Sequence, residues 1–446
     1  MKRLKVLAIL LTGFISVNTL KAQEVLTLKQ VIQFALDNKK EAQTAKLDLE
    51  NSEYKISEVR AGALPQVTGT GSLTFNPMLQ KVAIPGELFG EPGKTVMAAF
   101  GQKWQSQANL SVTQQLFNQS VFTGLKAART TREFYQINSQ LTEEQLIEKV
   151  ANAYYEVFQT QLQLQTIQNN LENTTKTQKV IKGLLDAGLS KKIDYDRVTV
   201  AINNLESQKQ QVINAHELQK NALKFAIGMD ITKDIQLPKE TFETNSGLVL
   251  ADNDVDARTE IKILNKQNEL LELNKKATIA ELYPKLSFTG NLGYLGMGNA
   301  FPIFNKSEGV NWSGFSGLGL NLSVPIFKGG ETKAKVSQAD IELRKLKVEI
   351  EDTKLALSLA NENAKSQIKN SLLTVNSNRE NVNLAKEVME NTQNNFKNGL
   401  ATLTELLDSE NAFADAESNL NISLLNYKVA EIQLIKSAGN LKSLVK

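Results

Sequence analysis

The chain has 446 residues, 41% of them hydrophobic and 22% charged, with a formal net charge of +3. That length suits two or three ordinary domains, and no long block of one sign marks a nucleic-acid or polybasic membrane patch. Cysteine is absent and His216 is the sole histidine, which removes thiol chemistry, disulfides and nearly all imidazole chemistry, so neither an enzyme nor a bound metal or other cofactor is expected.

The N-terminus reads as an export signal over residues 1–22. Lys2, Arg3 and Lys5 form a charged start, and an apolar run from Leu4 to Val17 follows. Cleavage after Ala22 leaves Gln23 as the new terminus, with Leu20 large for the third position before the cut. No Cys follows that site, so a lipid on the mature N-terminus is not expected. No later stretch reaches the roughly 18 apolar residues of a membrane helix. A membrane, if met, is met by another route.

A helix is predicted over residues 28–61, with Thr27 and Gln30 at capping-box spacing. Pro65 stops it. Two strands follow, at about 65–77 and 108–117, separated by a Gly/Pro-rich loop. A very long helix over 122–186 ends at Gly188, and a return helix runs to Ile227, making a hairpin over 122–228. A Pro-, Gly- and Asp-containing linker spans 229–256. The plan then recurs: a helix over 258–282, Pro284, strands at about 285–295 and 314–327, a long helix over 331–397, a turn at Gly399, and a return helix to Ser437 with a short C-terminal tail. The second hairpin thus spans 331–437.

Local matches support an internal two-fold repeat, 23–228 and 257–446. Asn109-Leu110-Ser111-Val112 recurs as Asn321-Leu322-Ser323-Val324, an offset of 212 residues. Gly188-Leu189 recurs as Gly399-Leu400, and Ile227-Gly228 is matched by Ala438-Gly439, both offset by 211 residues. Leu64-Pro65 is matched by Tyr283-Pro284 at the larger offset of 219 residues, so one loop differs in length between the halves. Four matches in one order at nearly one offset argue for duplication.

A helix of about 65 residues is about 100 Å long, and such a rod needs a partner along its length. The return helix supplies one. Leu403, Leu406, Phe413, Leu420, Leu424, Tyr427 and Leu434 follow steps of three or four, with Glu410, Glu417 and Glu431 filling the gaps. Ile147, Ala151, Tyr154 and Phe158 keep the same rhythm in the first half. Three acids at seam-like positions suit either a solvated face or a face lining water.

The strands alternate with period two. One face collects Val67, Leu73, Phe75, Leu110, Val112, Leu292, Tyr294, Leu318, Leu320 and Leu322. The other is uncharged and rich in Thr, Ser, Gln and Asn. Ten residues are what a tilted transmembrane strand needs, and Trp104, Phe117, Tyr294, Trp312 and Phe327 near the ends suit interfacial girdles. A half-buried sheet in a soluble domain remains the alternative. Four strands cannot close a membrane barrel, and an open sheet cannot face lipid. If these strands span a membrane, chains share the barrel. Three chains give twelve strands and room for a pore, whereas eight strands fill with side chains.

Leu322-Ser323-Val324-Pro325-Ile326-Phe327-Lys328-Gly329-Gly330, followed by Ala334 and Val336, resembles the strand-to-helix junction of the TolC family of outer-membrane efflux proteins. Residues 110–127 hold a degraded copy without the Pro or the Gly pair. Gly62-Ala63-Leu64-Pro65 and Glu281-Leu282-Tyr283-Pro284 are similar to its helix-to-strand signals. Asp256-Ala257-Arg258-Thr259-Glu260 looks like its start of the second half, without the usual Pro. The resemblance covers nearly the whole mature chain. It implies a mainly α fold with transmembrane β: four strands per chain in a shared twelve-stranded barrel of a homotrimer, continued by a long helical tunnel across the periplasm. It implies an outer-membrane exit duct of a tripartite efflux or type I secretion system, passive itself, with a periplasmic adaptor and an inner-membrane transporter as partners. The resemblance places adaptor docking at Gly188, Leu189, Ser190, Gly399, Leu400 and Ala401, although both glycines also serve simply to end helices. Glu387 and Glu390 fall where relatives narrow at the periplasmic entrance, and a solvated helix face is the other reading. The rival to an export channel is a periplasmic coiled-coil scaffold without a pore.

Overall fold

The computed structural model describes residues 26–238, 244, 254–302 and 309–445. The expected export signal, 1–22, lies outside the described residues, as do 239–243 and 245–253 of the expected linker. In chain order the elements are α1 (Leu28–Asn38), α2 (Lys40–Ala61), β1 (Gln66–Phe75), β2 (Lys81–Pro85), β3 (Thr95–Ala99), β4 (Trp104–Phe117), α3 (Gln119–Asp186) and α4 (Lys192–Ile227). They continue with α5 (Thr259–Ala280), β5 (Lys285–Gly298), β6 (Val310–Ser323), α6 (Glu331–Lys397) and α7 (Leu403–Ser437). The helices α3 and α6 have 68 and 67 residues.

Thr27 caps α1 as its spacing predicts: its hydroxyl accepts from the Gln30 amide, and the Gln30 side chain accepts from the Thr27 amide. The single helix expected over 28–61 is instead two, broken at Lys39, whose ψ of 133° is extended. The cause is tertiary. Lys39 is buried, its Nζ donates to the Phe225 carbonyl at 2.8 Å, and it lies 3.9 Å from the centre of the Phe225 ring. An ammonium on the carbonyls that end α4 also meets the negative pole of that helix. Gly228 permits the approach: its φ is +74°, and a Cβ there would meet the Asn38 carbonyl oxygen at 3.0 Å.

The chain divides into two compact units. One comprises the chain up to Lys46, Asn138–Ile261 and Thr353–Lys446. Its main core gathers Val31, Ile32, Leu146, Val150, Tyr154, Phe158, Leu223 and Ile227, with Leu441 of the C-terminal tail packed in. A second cluster joins Ile368 and Val375 of α6 to Tyr427, Ala430 and Leu434 of α7. The predicted seam holds at Leu403, Leu406, Tyr427 and Leu434, which are buried. Next to these clusters, Arg258 is buried against Glu260 at 2.6 Å and donates to the Lys436 carbonyl.

The other unit comprises Leu47–Ile137 and Lys262–Asp352. It holds a four-stranded antiparallel sheet in the order β1-β4-β5-β6, so β1 and β6 each have one neighbour among the described strands. The four expected strands make this sheet, and two further ones are described: β2 and β3 form a separate two-stranded hairpin within the loop expected between 77 and 108. Each is only five residues long, too short for a periodic signal. The fourth strand was expected over 314–327 and runs from Val310 to Ser323. It starts earlier because Val310 pairs with Gly298, and it stops earlier because Pro325 has no N–H to give a ladder.

Candidate functional site: the open sheet and the hairpin tips

Register fixes the two faces of the sheet. Val112, Gly290 and Leu318 stand side by side across β4, β5 and β6, as do Leu110 and Leu292. Leu286 and Leu322, and Phe288 and Leu320, pair on the same face. Val67, Leu110, Leu292, Leu318, Leu320 and Leu322 are all exposed, the largest being Leu318 at 81%. Thr68, Ser111 and Asn291 share the opposite face, and Thr113, Thr289 and Gly319 form another row of it. That face carries one charge, Lys285 at the sheet's end.

Aromatic side chains mark both ends of the strands. Trp104 lies 4.4 Å from Phe75 and 4.8 Å from Phe301, and Tyr294 stacks on Trp312 at 5.3 Å. At the other end Phe117 lies 6.4 Å from Phe122. Phe327, four residues past β6, is exposed there with Ile326, which is 95% exposed. The junction then turns through Gly329 and Gly330, with φ of +59° and +82°, directly into α6. Both angles are left-handed, which explains the glycine pair. Pro325 is half-buried between strand and turn.

The expected docking residues come together at the hairpin tips. Gly188 and Gly399 have φ of +75° and +74° and close the same turn. In each, the amide after the glycine reaches back to close the helix: Leu189 to the Leu184 carbonyl at 2.7 Å, Leu400 to that of Asn395 at 2.8 Å. This is the helix-ending geometry in which an orphan carbonyl five residues back finds a donor. Leu189 and Leu400 are both 77% exposed. Beneath them Ile181, Val198 and Leu403 bury one another, with Leu184, Tyr195 and Phe396 packed alongside. A cleft of about 650 Å³ between the two turns is lined by Gly188, Leu189, Ser190, Phe396, Ala401 and Arg197, among others. Thr402 and Glu405 cap α7 reciprocally, and the backbone and hydroxyl bonds from Thr402 hold the Glu405 carboxyl below its usual range.

Glu387 and Glu390 are exposed on α6, and Lys386 stands 3.9 Å from Glu390. The tip geometry does not join them to the cleft. His216 is half-buried and shares a 2.9 Å hydrogen bond with Thr160. Burial first, then Lys220, hold its pKa down.

Sequence reasoning missed the most buried carboxylate among the described residues. Glu410 was read as a gap in a heptad, yet it is 3% exposed and takes hydrogen bonds from Thr177 at 2.8 Å and Thr174 at 3.4 Å. The seam position was the available signal. It also missed two exposed apolar stripes. At 3.6 residues per turn, Leu355, Leu359, Leu373, Leu384 and Val388 of α6 fall within about 60° of one another. Ile193, Val200, Leu218 and Phe225 of α4 fall within about 40° by the same count.

A family model described as "Outer membrane efflux protein" matches residues 31–229 and 259–440. The chain is 22% identical over 340 residues to outer membrane protein TolC of Vibrio cholerae, covering 75% of this chain and 76% of that one. It is 23% identical over 429 residues to the probable efflux pump outer membrane protein TtgC of Pseudomonas putida, covering 92% and 82%. Among solved structures it resembles the outer membrane protein VceC of Vibrio cholerae, with a TM-score of 0.72 and 17% identity, covering 92% of this chain and 96% of that one.

Proposed function

We propose a function from one premise: this chain belongs to the outer membrane efflux protein family, the TolC family of channels. It is an outer-membrane efflux channel protein and not an enzyme. The finer reading is ours. The chain is the passive exit duct of a tripartite efflux or type I secretion system. A leader over 1–22 directs it out of the cytoplasm, and two repeats, 23–228 and 257–446, joined by 229–256, build it. It works as a homotrimer in which three four-stranded sheets close one twelve-stranded barrel.

The observation that carries this reading is the sheet. One face exposes leucines and the other is nearly free of charge. Leaving one such leucine in water forgoes about 2 kcal/mol of burial, and this face repeats the cost many times. Lipid removes that cost. It also forbids the unpaired N–H and C=O groups on the outer edges of β1 and β6, so β6 of one copy pairs with β1 of the next. A soluble scaffold leaves the same face unexplained. The exposed stripes on α4 and α6 give neighbouring copies a second apolar contact.

The hairpin tips are the docking end for a periplasmic adaptor, through Gly188, Leu189, Ser190, Gly399, Leu400 and Ala401. Their exposed leucines over a packed apolar base support this. Glu387 and Glu390 line the periplasmic entrance, where a three-fold ring of carboxylates favours cations. Pro325, Phe327, Gly329 and Gly330 form the strand-to-helix junction, at the periplasmic face of the outer membrane. An inner-membrane transporter supplies the energy. Purified protein in a planar bilayer tests the duct. Discrete channels are expected, with cation preference reduced by Glu387→Gln plus Glu390→Gln. A protein that binds the bilayer without conducting would overturn it.

A further inference from the structure

Resting on the reading of the tips as a docking end, we infer that Glu410 is a proton-sensitive positioning residue that sets how firmly the second hairpin tip is held against the first. The tie joins the two halves of the chain. Glu410 lies on α7, and both of its donors, Thr174 and Thr177, lie on α3 and are buried. It sits two turns along α7 from Leu403, which belongs to the apolar base of the tips.

Among the described residues no cation answers this carboxylate. On α3, Glu172, Lys176 and Lys179 are exposed. On α4, Asp196 and Arg197 are exposed, and Arg197 donates to Thr404 at 3.5 Å. On α6, Lys386, Glu387 and Glu390 are exposed, and Lys386 acts on Glu417 instead. On α7 itself, Asp408 and Asp415 are exposed and Glu417 is half-buried. Burial therefore pushes the Glu410 carboxyl up, and the hydroxyls of Thr177 and Thr174 offset only part of that.

Protonated, Glu410 is neutral and keeps both threonine contacts. Ionised, it is an unpaired charge in a dry seam, which is destabilising unless water reaches it. A polar cleft of about 620 Å³ lined by Thr174, Leu407 and Asn411 borders the site and supplies that water when the helices part. The sign follows. A carboxyl whose folded pKa is raised contributes its stability fully below the ordinary carboxylate value. That contribution is lost as pH rises through the raised value. Acid tightens the tips against each other, and a pH above the raised value loosens them.

The absence of native cysteine makes the test clean. Leu189→Cys and Leu400→Cys, both at exposed tips, carry spin labels on the full chain in detergent. Their distance distribution is read by pulsed EPR between about pH 5 and about pH 8. The expected result is a narrow distribution in acid whose narrow population is lost on raising the pH. Glu410→Gln, neutral at every pH and still able to meet both hydroxyls, stays narrow throughout. Thr177→Val, which deletes the shorter contact, broadens the acid state and covers the case of a poorly folding Gln variant. A pH response unchanged by Glu410→Gln, or a wild type without one, overturns the inference. Adaptor binding to the unsubstituted, unlabelled chain is measured separately. Its absence beside an intact pH response counts against the docking reading alone.

Discussion

Glu410 is buried and Glu260 half-buried in the same unit, and their neighbours send them in opposite directions. Burial acts to raise Glu260, but the Arg258 guanidinium, the Glu260 backbone amide and the Lys436 charge together outweigh it and leave the carboxyl below the usual range. Its contribution is therefore present above the ordinary carboxylate value and lost as pH falls through the depressed one. Arg258→Ala leaves a half-buried carboxylate without its guanidinium. We expect a loss of about 3 kcal/mol in chemical denaturation at neutral pH, shrinking in acid as Glu260 takes a proton. An equal loss at both ends of the pH range would refute the assignment. The turn glycines make a second residue-scale prediction. Gly399→Ala forces a Cβ into φ +74° and should cost about 1 kcal/mol, seen as faster amide exchange confined to the second tip. Gly188 and Gly399 were legible because a glycine ending a long periodic run has a known geometric reason. Glu410 was not, because a heptad shows where a side chain points and not what hydroxyls face it from another helix.

At the scale of the element, the strand faces were legible and the strand ends were not. Period two assigns Leu318, Leu320 and Leu322 to one face without any knowledge of partners. The start of β6 at Val310 depends on Gly298 across the ladder, which local sequence does not reveal. The break at Lys39 is hidden for the same reason, since its cause, Phe225, is 186 residues away. The faces yield a paired prediction on adjacent residues. Leu320→Arg puts a charge on the lipid side at a cost of about 2–4 kcal/mol near the midplane, and should reduce assembled protein in outer-membrane fractions. Asn321→Arg sits on the opposite face and should assemble normally while shifting the pore toward anions, read as a reversal potential in a salt gradient. Equal assembly defects in both variants would mean that the faces are misassigned.

For the whole molecule, helix length was readable from one chain, because periodicity is a property of a single sequence. Assembly was readable only as an unmet need: four strands, two open edges and apolar stripes on α4 and α6. In the proposed trimer each of those needs is met by another copy, which would make the channel a property of the assembly rather than of the chain. The mass of the intact particle, extracted in mild detergent and measured by native mass spectrometry, tests this most directly. Three chains per particle are predicted, with β1 and β6 cross-linking between copies through paired cysteines. A stable, folded monomer whose sheet edges accept no neighbour would contradict it.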